Sequence, residues 1–179
     1  MTKQELDKKM LALQQGDENA FEDIYNDTKR GLFAFILSIC RNYHMAEDMM
    51  QTAYIRLRPT ISSYRAGENA YAWLYTIAKN ATLNEMARQK REKSTDAFEE
   101  ESTFGTYSID EECSPITTVM NKVLGEEERQ IVTLHVISGF KHREIAEMLE
   151  KPLGTELWTY NNALAKLKRE LEKEKADET

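Results

Sequence analysis

The sequence predicts an all-α protein, built as two small helical domains joined by a flexible acidic linker. Three observations carry this. Apolar residues recur at helical spacing toward both ends of the chain, and Val, Ile and the aromatic residues never alternate as they would in strands. Residues 94–115, STDAFEEESTFGTYSIDEECSP, hold seven acidic side chains and no basic one. Such a composition buries too little apolar surface to order itself. Finally, the stretch from Glu126 to Leu171 has the pattern of a helix-turn-helix. The expected division is 1–93, linker 94–115, and 116–179; at 179 residues the chain can supply one sizeable core or two small ones.

The first domain reads as four helices, Gln4 to Gln15, Glu18 to Arg41, Met45 to Arg58 and Asn69 to Arg91. Asp17 starts the second helix, the turn RNYH separates it from the third, and PTISSYRAGE is the one long loop. In the third helix, AEDMMQTAYIRL sets Met50, Ala53, Tyr54 and Leu57 on one stripe. Glu47, Asp48 and Gln51 are left together on the other side. An acidic, amide-bearing face suits a basic protein surface, although a merely solvated face has the same pattern.

The fourth helix belongs to YRAGENAYAWLYTIAKNATLNEMARQKR. Asn80, Asn84, Arg88 and Arg91 fall within an arc of about 80°. Amides and guanidinium groups pair with base edges and phosphates. Tyr64, Tyr71, Trp73 and Tyr75 lie just upstream, an interleaving expected of a surface that stacks unpaired bases. Trp73 and Ile77 share nearly the same arc as Asn80, so the start of the stripe is expected in the core, with Trp73 as a packed ring.

In the second domain KHREIAEMLE, Lys141 to Glu150, puts Ile145, Met148 and Leu149 on one face. In the following KPLG, Pro152 blocks continuation and Gly154 permits a sharp reversal. Thr155 then offers a hydroxyl as N-cap of a longer helix, TELWTYNNALAKLKRELEK. Leu157, Tyr160, Leu164 and Leu167 form its apolar arc with Glu156 at the rim. Trp158, Thr159, Asn161, Asn162, Ala165, Lys166 and Arg169 then face outward. A tight helical pair of this kind suits the DNA major groove; an αα-hairpin that only packs has the same spacing.

Charge complicates a DNA-binding reading. The net charge is −7 and the pI about 5.2, whereas a polyanion attracts basic patches. Either positive charge is segregated onto one face or a larger partner delivers the chain to DNA. Residues 79–93 hold five basic and two acidic side chains, which is some segregation. No apolar run approaches the roughly 20 residues that cross a bilayer, and the polar start MTKQELDKKM is no secretory signal. A cytoplasmic chain without membrane insertion is expected. Cys40 and Cys113 are unrelated in position, and His44, His135 and His142 are scattered. With 7 glycines and no phosphate loop or nucleophile elbow, no catalysis, metal site or cofactor is expected.

Taken in order, AEDMMQTAYIRL, YAWLYTIAKNATLNEMARQKR and LGEEERQIVTLHVISGFKHREIAEML followed by a turn and GT resemble the extracytoplasmic-function group of bacterial sigma factors. These are the smallest relatives of the main sigma subunit of RNA polymerase. The resemblance spans about Asp17 to Arg169, interrupted by the linker. It implies a region 2 domain, a linker and a region 4 helix-turn-helix domain, with core RNA polymerase and promoter DNA as partners. It also implies control by an anti-sigma factor.

The resemblance assigns Asp48 and Gln51 to polymerase binding. It assigns Lys79, Asn80, Asn84 and Arg88 to the −10 element, with the loop Ile61 to Ala70 beside them. The −35 element falls to Thr155, Trp158, Thr159, Asn161, Asn162, Lys166 and Arg169. The acidic linker matches the segment that mimics nucleic acid in the RNA exit path. Polymerase would supply the missing basic surface.

The departures lie in the recognition helix. Glu156 takes a place that is usually aliphatic, and Leu157, Trp158, Thr159 and Asn162 replace residues that are commonly basic or small. A carboxylate there is costly if buried without a partner. The expected function is promoter-directed transcription initiation without catalysis. The alternative is a sigma-like interaction protein that binds polymerase or an anti-sigma factor, with weakened −35 reading.

Overall fold

The computed structural model describes residues 1–96 and 115–177, so most of the expected linker, including Cys113, lies outside the described residues. Within them the chain is helical and contains no strand. The order is α1 Lys3–Gln14, α2 Glu18–Cys40, α3 Tyr43–Thr60, a 3₁₀ turn Ile61–Ser63, α4 Ala70–Asp96, α5 Pro115–Val123 and α6 Glu126–Val132. A π-helical turn Thr133–Ile137 extends α6, and α7 His142–Met148 and α8 Leu153–Asp177 follow.

Local chemistry fixes the helix starts. Thr2 and Glu5 form a reciprocal capping box on α1. The Asp17 carboxylate accepts from the Asn19 N–H at 3.0 Å and opens α2, as its position predicts. Asn42 accepts from the Met45 N–H at 2.8 Å, so α3 begins at Tyr43, earlier than the expected Met45. The break between α2 and α3 is confined to Arg41, which takes a left-handed φ of 54°, and Asn42.

α2 is the central post of the first half, with Ile24, Leu32, Phe35 and Ile36 fully buried against α1, α3 and α4. Ile131, Leu134, Phe140, Ile145, Met148 and Leu149 from the second half join this same apolar cluster. The two expected domains therefore share a core. A smaller cluster, Val119, Met120, Leu124, Val132, Ala163 and Leu167, ties α5 and α8 to α6. Burying each large aliphatic side chain contributes about 1.5–3 kcal/mol.

Polar contacts fix the seam between the halves. Tyr75 Oη donates to Ser138 Oγ at 3.1 Å, and burial pushes that phenol up to about 12. Gly31 is the close approach: a Cβ there would lie 2.5 Å from Tyr75 Oη. Arg129 donates to the Ser38 carbonyl at 3.2 Å and to the Leu124 carbonyl at 2.7 Å. Glu144 of α7 accepts from Asn69 at 3.2 Å and pairs with Lys3.

The turn between α7 and α8 differs from the expected one. Glu150, not Gly154, takes the left-handed conformation, with φ 56°. The Lys151 N–H bonds the Ala146 carbonyl at 2.8 Å and the Glu150 N–H bonds that of Glu147 at 3.2 Å, which is a Schellman closure. α8 then begins at Leu153, and the Pro152 carbonyl accepts from the N–H groups of Thr155 and Glu156 at 3.0 and 3.1 Å. Gly154 and Thr155 thus lie inside the first turn, and Thr155 is not the N-cap.

Candidate functional site

Three helical faces carry the residues singled out by sequence. On α3, Ala46, Met49, Ala53, Tyr54 and Leu57 are buried, with Met50 only half-buried. Asp48 and Gln51 are exposed on the opposite side. Ile55 follows on the same stripe and is 71% exposed. Helical periodicity alone puts it within about 20° of Asp48, so its place on this face is legible in the sequence.

On α4, Asn80 and Asn84 are exposed and make no side-chain hydrogen bond among the described residues. Leu83, also exposed, lies between them, and Lys79 is half-buried. Arg88 is exposed too, but Glu85 accepts from its Nε and Nη2 at 2.9 and 2.7 Å. Glu92 takes its Nη1. The Arg88 bonds to Glu85, with that from Gln89, hold the Glu85 carboxyl down to about 2. Most of the positive charge of Arg88 is therefore matched locally.

The aromatic residues upstream do not form the expected stacking surface. Tyr64 and Tyr75 are buried. Tyr64 Oη meets Asp7 at 2.5 Å, and Gln14 of α1 donates to the Ile61 and Tyr64 carbonyls at 2.9 and 3.0 Å, which fastens the loop. Trp73 is half-buried with its ring edge-on to Tyr64 at 5.3 Å, the packed ring its position predicts. Tyr71 bonds Asp27.

On α8 the buried arc is Glu156, Thr159, Ala163 and Leu167, while Leu157 and Leu164 are exposed. This rotates the expected arc by about one residue. The reason is that polar groups occupy the inner positions and are bonded there. Glu156 Oε1 lies 3.0 Å from His142 Nδ1, and the Thr159 hydroxyl donates to the Thr155 carbonyl at 2.9 Å. Asn162 donates to Glu128 at 3.1 Å and Lys166 does so at 2.8 Å. Glu128 also accepts from the Gly125 N–H at 2.9 Å. Burial alone would raise the Glu128 carboxyl, but Lys166, the Gly125 N–H and Asn162 together bring it below its ordinary value.

Thr159 is therefore buried, and Asn162 and Lys166 are half-buried and bonded to Glu128 instead of facing outward as predicted. Thr155, Trp158, Asn161, Ala165, Lys168 and Arg169 remain exposed, Trp158 by 68%. Sequence reasoning missed Glu128 and His142 altogether, because their partners lie 34, 38 and 14 residues away. Among the described residues no group of three or more His, Cys, Asp or Glu side chains could hold a metal ion. No helix there is long and apolar enough to cross a membrane.

Residues 16–92, covering α2 to most of α4, match the family described as sigma-70 region 2. Residues 122–155, from the end of α5 into the first turn of α8, match the one described as sigma-70, region 4. The chain belongs to the sigma-70 family. Its relatives put this sigma factor in the extracytoplasmic-function group. It is 28% identical over 162 residues to the ECF RNA polymerase sigma factor SigW of Bacillus subtilis, covering 83% of this chain and 87% of that one. It is 26% identical over 170 residues to the RNA polymerase sigma-H factor of Pseudomonas aeruginosa, covering 87% and 88%. The sigma factor RpoE of Bartonella quintana, solved with the anti-sigma factor NepR, is alike in fold. The TM-score is 0.65 at 24% identity, over 84% of this chain and 98% of that one. Sigma factors are not enzymes; they are transcription initiation factors that bind core RNA polymerase and promoter DNA.

Proposed function

We propose that the three exposed faces divide the work of promoter-directed initiation. The α3 face docks on core polymerase, with Asp48 and Gln51 as polar contacts and Ile55 as an apolar anchor. Asn80 and Asn84, with Lys79 beside them, take the −10 element through amide contacts to base edges. The outer face of α8 takes the −35 element through Trp158 and Asn161, with Thr155, Lys168 and Arg169 toward phosphate. Arg88 is a weaker contributor, because Glu85 and Glu92 already match its charge.

The observation that carries this reading is the coincidence of family match and exposure. Asp48, Gln51, Asn80 and Asn84 are exposed on helices that lie within the matched residues 16–92 and whose opposite faces are packed, which supports this reading. The acidic balance fits a factor whose affinity for DNA is supplied by polymerase. A second reading has support from α8: with Asn162 and Lys166 turned to Glu128, its outer face is thinly basic. On that reading −35 contacts matter little and initiation relies on α3 and α4.

An anti-sigma protein is proposed as a further partner. A surface of Ile116, Val136, Ile137, Leu164 and Leu171, all well exposed, suits an amphipathic helix. Substitution tests the division of labour. Asp48→Ala with Gln51→Ala is expected to abolish co-elution with core polymerase. Asn80→Ala with Asn84→Ala is expected to leave co-elution intact and stop promoter opening, read by permanganate footprinting. Loss of co-elution in both, or in neither, contradicts the assignment.

A further inference from the structure

Each element of the helix-turn-helix contributes one ionisable side chain to a single contact: His135 from the π-helical turn, His142 from α7 and Glu156 from α8. The rings of His135 and His142 stack at 4.2 Å with 19° between their planes. Tyr160 stands edge-on to both, at 4.9 and 4.8 Å. His135 Nδ1 lies 2.9 Å from the Phe140 carbonyl, which can only accept, so that nitrogen carries a proton. His142 Nδ1 lies 3.0 Å from Glu156 Oε1. The Glu156 side chain is wholly buried, and its Oε2 has no hydrogen-bond partner. A carboxylate has about four acceptor sites, so most of its capacity goes unused.

Such a pair is a poor means of stabilising two packed helices. Well-packed apolar residues of the same volume are often as stable or more so. What the bond supplies is direction. Apolar contact lets one helix rotate against another, whereas a hydrogen bond weakens steeply off its axis. α8 presents Trp158 and Asn161 within two turns of Glu156. Side chains reach about 5–6 Å from a helix axis, so a rotation of about 20° would move them about 2 Å. Hydrogen bonds to base edges work over a window of about 0.5 Å.

We propose that His142 is a positioning residue for promoter reading: by holding Glu156 it sets the rotation of α8, and so decides which upstream sequences Trp158 and Asn161 accept. The inference rests on the reading of α8 as the −35 reader.

The test is run-off transcription with the full chain and core polymerase, on matched promoters that differ only in the upstream element. The readout is the ratio of transcripts from the two promoters, because lost stability lowers both together. The double variant His142→Leu/Glu156→Val removes the bond and leaves no unpaired charge. His142→Asn keeps a donor near the position of Nδ1. Wild type and His142→Asn are expected to share one ratio. The double variant is expected to shift it about tenfold, the discrimination of one good base contact. An unchanged ratio overturns the positioning role. A wild-type ratio of one overturns instead the reading of α8 on which it rests. Should the double variant fail to fold, Glu156→Gln, which keeps the acceptor, is compared with Glu156→Leu. A ratio retained in the first and shifted in the second supports the proposal, and equal ratios in both overturn it.

Discussion

The first turn of α8 and its third turn are each held by a buried carboxylate, and the two are satisfied in opposite ways. At the third turn Glu128 receives the Gly125 N–H, Asn162 and Lys166, three donors including a full positive charge. At the first turn Glu156 has His142 and an oxygen with no partner. The third turn is thus clamped, whereas the first hangs on one directional bond at the end that carries Trp158. Glu128 seats the middle of α8, and the His142–Glu156 bond adds a directional contact at the end that carries Trp158.

The largest effect is expected at the clamp. Glu128→Ala leaves Asn162 and Lys166 facing a void and removes the α6 capping contact. We expect a loss of about 2–3 kcal/mol in urea unfolding, below the figure for a fully buried pair because Lys166 is partly in water. A loss under about 1 kcal/mol would erase the contrast between the two turns.

Acid sharpens the same contrast. The folded Glu128 carboxyl titrates below its ordinary value. The unfolded chain therefore takes up the proton first, and stability is present above the unfolded value of about 4.3. That stability is lost as pH falls from there through the folded value. Thermal unfolding of wild type is expected to steepen below about pH 4.3, and that of Glu128→Gln to be flatter over the same interval.

Glu150 gives a smaller effect of opposite sign. It adopts φ 56° at the Schellman position, where glycine has no steric penalty. Glu150→Gly is expected to stabilise the fold by about 1 kcal/mol, measured in urea. The smallest effect belongs to the reading end: Glu156→Val is expected to change stability by less than about 1 kcal/mol, in either direction. A loss as large as that of Glu128→Ala would mean that the first turn is a clamp as well.

The face of α3 was legible because apolar residues alone define its buried side. Once Ala53, Tyr54 and Leu57 are inward, Asp48 and Gln51 have one direction left. The same rule misplaced α8. It sent Leu157 and Leu164 inward on hydrophobicity, while the inner positions belong to Glu156 and Thr159, whose partners the sequence does not announce. The shared core was equally hidden. Ile145, Met148 and Leu149 read as one face of a helical hairpin, and nothing local says that they join Phe35 and Tyr75 in one cluster. The aromatic run misled for a related reason: a tyrosine that packs and one that stacks on a base look alike until Asp7 and Ser138 are found beside the hydroxyls.

The central claim is that this chain directs polymerase to promoters. Its most direct test is run-off transcription with purified chain, bacterial core polymerase and a library of genomic fragments from the source organism. The account predicts discrete start sites that appear only when the chain is added, with two shared upstream elements. Confirmed binding to core polymerase without any specific transcript would contradict it and leave the chain an interaction protein.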